Sequence, residues 1–169
     1  MDLTSLHTVY VHHLKDLYSA EKQIIEAAPA MIDAASSQEV KDAFADHLEE
    51  SKSHLERVHA LLQALEVNPG NTKCEAMEGI IKEGSNVVNS TGDADVKDVA
   101  LIAAAQRVEH YEITGYGTAR AFAATLGYSE AASELQLILN DEYDADGRLD
   151  KIAEGGLLKM GLNQEAVSS

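Results

Sequence analysis

The sequence predicts an all-α fold, a four-helix bundle with a long crossover carrying a short helix between the second and third helices. Three observations carry that expectation. Apolar residues recur at intervals of three and four through four long stretches, as expected for helices that each bury one face. The connections run short turn, long crossover, short turn. The middle of the apolar stripes is interrupted by acidic residues. A carboxylate is too costly to bury alone, so each must be protonated, paired or bound to a cation.

Composition agrees. A chain of 169 residues is expected to form one domain, residues 1–169, with room for a core. Hydrophobic residues make up 45% and charged residues 25%, a globular rather than a disordered balance. There is no Trp and only 2 Pro, which favours helix. The formal net charge is -16, from 13 Lys+Arg against 29 Asp+Glu. That argues against nucleic acid and anionic membrane as partners. Cys74 is the one cysteine, which excludes an internal disulfide and fits a reducing compartment. No charged-then-apolar leader opens the sequence and no run is long enough to span a bilayer, so the expected location is the cytoplasm.

The first helix is expected from Leu3 to Ala35, with a stripe that includes Tyr10, Leu14, Leu17, Ile24 and Ile32. Glu21 falls inside that stripe. Asp16 and Glu26 fall on the solvated side. Pro29 should kink the helix. His7, His12 and His13 read as surface or helix-end residues. Ser36-Ser37-Gln38 is a short turn that makes the next helix an antiparallel neighbour, with Ser37 as its N-cap.

The second helix is expected from Gln38 to Leu65, with Val40, Phe44, His47, Ser51, Leu55, Val58 and Leu62 inward. Glu50 and His54 flank the stripe on the side of His47. Asn68-Pro69-Gly70-Asn71 ends the helix. In the crossover, residues 74–81 read as a short amphipathic helix with Met77, Ile80 and Ile81 inward, which Val87 and Val88 extend. Cys74 reads as a packed side chain, because no histidine lies near it in sequence to activate it.

The third long helix is expected from Val96 to Leu126, capped by Asp93 or Asp95. Glu109 and Glu112 lie on one face with Ala105, Val108, Tyr116, Ala119 and Ala123. Gly115 and Gly117 inside it each cost about 1 kcal/mol relative to Ala. Close approach of a neighbouring helix beside the carboxylates is the expected compensation. Gly127 closes the helix and Ser129 is the expected N-cap of the fourth. The fourth stripe is Leu135, Ile138, Leu139, Glu142, Asp146, Leu149 and Ile152, with Asp141 and Asp144 outside it. Gly155-Gly156 and a polar tail from Asn163 end the fold.

This order of connections is the ferritin-like topology rather than a plain up-down bundle. Each helix brings acids to mid-length: Glu21; Glu50 with His54; Glu109 with Glu112; Glu142 with Asp146. Glu50 lies 29 residues after Glu21, and Glu142 lies 30 after Glu112. That approximate repeat suits a dinuclear carboxylate site, with a single-carboxylate helix and a two-ligand helix in each half. Two divalent cations held close repel each other, and anionic carboxylates neutralise and bridge them. Mixed oxygen and imidazole donors suit iron first and manganese second. The usual Glu-x-x-His mark of such sites is missing from both two-ligand helices.

Tyr18-Ser19-Ala20-Glu21-Lys22-Gln23, His47-Leu48-Glu49-Glu50, Cys74-Glu75-Ala76-Met77-Glu78-Gly79 and the run from Ala103 to Ile113 resemble the YciE/YciF bacterial stress-protein family over nearly the whole chain. The resemblance implies a ferritin-like fold related to rubrerythrins, a homodimer and a role in stress. Rubrerythrin-like sites carry Glu-x-x-Glu on the third helix, which Glu109 and Glu112 match. They carry Glu-x-x-His on the second and fourth, where Ser53 and Ala145 stand instead.

The expected activity is that of a dinuclear-metal, di-iron protein that handles iron or reduces dioxygen or peroxide. Glu21, Glu50, Glu112 and Glu142 are the core ligands. His54, Asp146 and Glu109 complete or exchange, His54 serving one metal and Asp146 the other. His47 is the alternative imidazole. Tyr18, Tyr111 and Tyr116 are candidates to donate to the ligands or simply to pack. The chain holds no paired-cysteine iron site, so any reductant is external. The rival expectation is a non-catalytic helical dimer or partner-binding stress protein with a vestigial metal site.

Overall fold

The computed structural model describes residues 3–156 and 159–167. Four long helices form the bundle: α1 Leu6–Ala34, α2 Gln38–Ala64, α4 Ala94–Thr125 and α5 Ser129–Glu154. The crossover between α2 and α4 carries α3, Glu75–Val88. A two-residue antiparallel pair, β1 Gly155–Gly156 with β2 Lys159–Met160, and a short α6, Leu162–Glu165, follow α5. The expectation that Gly155-Gly156 and a polar tail end the fold included neither element. No described helix is long and apolar enough to cross a membrane.

The short turns make two antiparallel hairpins. α1 packs most extensively on α2, and α4 on α5, while α3 lies across α1 and α4. One end of the bundle is filled by Tyr10, Leu14, Val58, Leu62, Ala119 and Leu135 with their neighbours. The other is filled by Val40, Phe44, Leu101, Ile102, Leu149 and Ile152. A smaller cluster of Ala20, Ile24, Cys74 and Met77 seats α3. The chain therefore builds two apolar plugs and leaves the middle of the bundle for the stripe-breaking acids.

The helix ends follow from local chemistry. Ser5 accepts from the Thr8 amide and starts α1. Asp93, one of the two expected caps, accepts from Asp95 N and Val96 N. Ser37 makes no side-chain cap bond. Its place is taken across the bundle by Asp98 of α4, which is buried and accepts from Ser36 N at 2.8 Å and Ser37 N at 2.6 Å. Ser129 is the first residue of α5 rather than its cap, which is Tyr128.

α4 closes with a left-handed Gly127 (φ 80°), whose amide and that of Tyr128 bond back to Ala124 and Ala123. α2 closes the same way with Glu66 at φ 56°. Gly115 permits the expected close approach: a Cβ there would lie 2.7 Å from Leu17 Cδ2. Gly117 does not need it, because its Cβ would meet Leu139 at an ordinary 3.8 Å.

Candidate metal centre

Between the two apolar plugs, four helices converge on one polar layer. α1 contributes Glu21, fully buried between Leu17 and Ile24. α2 contributes His47 and His54, two turns apart on one face. α4 contributes Glu109 and Glu112, and α5 contributes Glu142; all three are at least 98% buried. Their donor atoms form two groups, His47–Glu109–Glu112–Glu142 and Glu21–His54–Glu142, each with atoms within 4.8 Å of one another. Glu142 belongs to both, so its carboxylate stands between two adjacent sites.

The distances are short throughout. His54 Nδ1 lies 3.0 Å from Glu142 Oε1 and 3.6 Å from Glu21 Oε1. His47 lies 3.3 Å from Glu109 and 3.6 Å from Glu112. Among the described residues, no lysine or arginine is paired with these four carboxylates. Among the described residues, nine buried side-chain polar atoms lack a well-aligned hydrogen-bond partner, and eight belong to these six residues. Native interiors leave few such atoms, so this concentration singles out a layer whose side chains are arranged to take a cation. Four carboxylates match the charge of two divalent cations, and oxygen with imidazole nitrogen is the donor set that iron and manganese accept. The residues fit a dinuclear metal site.

The protonation of the metal-free layer points the same way. Burial holds Glu109 and Glu112 well above the usual carboxylate range, and the neighbouring Glu142 charge adds to it. Burial pushes Glu142 up to about 7 against the pull of His54. Burial alone would lower His54, but the adjacent Glu142 and Glu21 carboxylates push it up to about 10. Burial takes His47 down to about 4. Without a metal, protons and one imidazolium neutralise the acids.

A supporting layer fixes the ligands. His54 turns its other nitrogen, Nε2, to Asp141 Oδ2 at 3.2 Å. Asp141 is also reached by Arg57 at 3.3 Å, and Arg57 in turn pairs with Glu134. A ligating histidine usually donates its second N–H to a carboxylate, which sets tautomer and ring orientation. Asp141 was expected outside the stripe; it is half-buried there and orients His54. Tyr116 donates to Glu21 Oε1 and is fully buried. Tyr111 donates instead to Asp16, which also takes the Cys74 thiol at 3.2 Å. Asp16 is thus a partner for the α3 cluster, not a solvated charge. Tyr18 packs on the His59 ring.

Of the expected ligands, Glu21, His54, Glu109, Glu112 and Glu142 come together. Glu50 and Asp146 lie outside both groups. Glu50 is half-buried on the flank of α2, with Asp46, Arg148 and Asp141 among its charged neighbours. Asp146 turns toward α4, taking Gln106 at 3.3 Å and His110 at 3.5 Å. The pattern of one carboxylate plus one further ligand on each two-ligand helix is therefore not what the geometry assembles. α2 supplies two imidazoles, and α5 one shared carboxylate. His47, held as the alternative to His54, stands in the layer alongside it.

The fold and this layer define a class: a ferritin-like helical bundle with a buried carboxylate–histidine cluster. A family model described as a domain of unknown function, DUF892, matches residues 5–162. Protein YciF of Escherichia coli is 39% identical over 165 residues, 97% of this chain and 99% of that one. The crystal structure of the E. coli stress protein YciF superposes with a TM-score of 0.85 at 41% identity, covering 88% of this chain and 94% of that one. A ferritin-like, diiron-carboxylate protein of Bacillus anthracis shares the fold at a TM-score of 0.68 and 16% identity, over 88% and 98% of the two chains. The chain belongs to the YciF stress-protein family.

Proposed function

We propose that this chain is a dinuclear-metal carboxylate protein, with iron the preferred metal and manganese the alternative, that handles iron or reduces dioxygen or peroxide during stress. The observation that carries the reading is the set of eight partnerless buried donor atoms on six acidic and imidazole side chains. One ion would be held by His47, Glu109 and Glu112, the other by Glu21 and His54, with Glu142 between them. When bound, such a pair supplies two electrons to a small oxidant. The protein's own residues do the rest. Asp141 holds His54 Nε2 so that Nδ1 faces the site. Tyr116 keeps one Glu21 oxygen engaged and leaves Oε2 free to ligate. The apolar plugs above and below close the layer along the bundle axis. We further propose that the chain is a homodimer, for which light scattering should give twice 18.2 kDa.

The test is stopped-flow mixing of the anaerobic, Fe(II)-loaded chain with hydrogen peroxide or with dioxygen. The parent should oxidise Fe(II) much faster than buffer does, and Glu112→Gln should lose more than about 100-fold of that rate. Oxidation no faster than in buffer, with metal bound, would leave iron storage or a non-catalytic role in its place.

A further inference from the structure

A cavity of about 480 Å³ lies between all five of the longer helices and ends against the metal layer. Its walls are apolar: Ala28 and Met31 of α1, Phe44 of α2, Ile81 of α3, Ala105 of α4 and Ala145 of α5. Its inner end is His47 and Glu109. Glu109 is 2% exposed and its Oε2 has no partner. The mouth carries Asp46 and Arg148, which pair with each other. The space exists because the walls are built from alanines where a bundle ordinarily places Leu or Ile. Protein interiors are close-packed, and an apolar void of this size forfeits contact energy unless something fills it. Water is a poor filler, since alanine and isoleucine walls offer it no hydrogen bonds. The volume lies in the range of small-molecule sites, which combine apolar walls with a few polar groups at one end.

We infer that this cavity binds a neutral apolar organic molecule, of the class of a medium-chain aliphatic alcohol, with its polar end at Glu109 and His47. Arg148 is the one lysine or arginine among the lining residues, and it is paired with Asp46 at the mouth, so the buried inner end offers no cation to an anionic head group. The inference goes beyond the metal reading and does not depend on it, because the cavity is formed by the chain alone.

The test is titration of the full chain, stripped of metal by chelator, with the neutral fluorophore N-phenyl-1-naphthylamine. The chain has no Trp, so the probe is read against a low background. One saturable site per chain is expected, from which 1-decanol displaces the probe and decanoate does so at least tenfold more weakly. Ala105→Leu and Ala28→Leu fill the cavity from opposite walls, and each should weaken the probe at least tenfold while circular dichroism stays unchanged. Ala76→Leu, on the exposed face of α3, should bind like the parent. The inference is overturned by no saturable binding, by equal competition from decanoate, or by parent-like binding in a folded Ala105→Leu and a folded Ala28→Leu. It is also overturned if probe binding vanishes as the chain self-associates, which would assign the cavity to a second copy.

Discussion

Glu112 has both carboxylate oxygens buried and without partners, and no residue in the layer has less reason to be acidic in a metal-free protein. Glu112→Gln should abolish metal binding at its site while leaving the metal-free chain as stable as the parent or more so at neutral pH, since a neutral amide spares the cost of holding a buried carboxyl protonated. Urea denaturation and metal analysis of the same sample check both halves. Asp141→Asn tests the orienting role. It keeps the shape but weakens the grip on His54, and metal affinity should fall about 10- to 100-fold. His47→Ala and His54→Ala should each cost one ion, whereas Asp146→Ala should titrate like the parent. Protonation gives a further prediction. Glu142, Glu109, Glu112 and His54 all have raised folded pKa values, so the stability they contribute is present at low pH and lost as pH rises through those values. His47 is lowered and works the other way, gaining stability between about 4 and the ordinary histidine range. Four groups oppose one, so the metal-free melting temperature should fall from pH 5 to pH 8. Metal displaces the protons, so its affinity should rise over the same interval. A metal-free melting temperature that rises with pH would contradict the assignment of these carboxyls as buried and unpaired.

At the scale of the helix, the period of three and four made the four stripes legible, along with the acids deep inside them. Glu21 lies between Leu17 and Ile24, and Glu142 lies between Leu139 and Leu149, so burial was forced whatever the neighbours. Glu50 reads at the edge of its stripe and Asp146 inside its own, and in both cases a rotation of tens of degrees decides between the layer and the flank. Packing of α5 beside α2 and α4 makes that decision, and a single sequence does not contain it. His47 and His54 are legible as neighbours of one stripe but not as a joint pair, because a histidine seven residues from another lacks the carboxylate-then-histidine spacing that usually marks such sites. Asp141 is not legible as a partner of His54, because the two meet only through the packing of α5 on α2. Asp98 caps α2 from a different helix, which no local pattern reveals. Two substitutions test the reading of the helix ends and crossings. Glu66 holds a left-handed conformation that costs a non-glycine residue about 1 kcal/mol, so Glu66→Gly should stabilise by about 0.5–1 kcal/mol in chemical denaturation. Gly117→Ala should stabilise by up to about 1 kcal/mol, while Gly115→Ala, facing Leu17, should not.

For the whole molecule, the arrangement is two apolar plugs holding a layer of four carboxyls and two imidazoles, most of whose buried polar atoms lack a well-aligned partner. Such a fold is stabilised by whatever binds the layer, by mass action. Metal at a hundredfold excess over its dissociation constant adds about 2.7 kcal/mol, or roughly 5–10 °C in melting temperature for a chain of this size. The strongly acidic composition, net charge -16, draws cations toward the molecule in general and does not single out one site. The central claim is that this layer holds two metal ions. Its most direct test is metal analysis of the full chain produced in iron-supplemented medium, with a thermal melt of the same sample before and after anaerobic Fe(II). The account predicts iron or manganese approaching two ions per chain and a melting temperature that rises with added Fe(II). Near-zero iron and manganese, with a melting temperature unmoved by Fe(II), would contradict it.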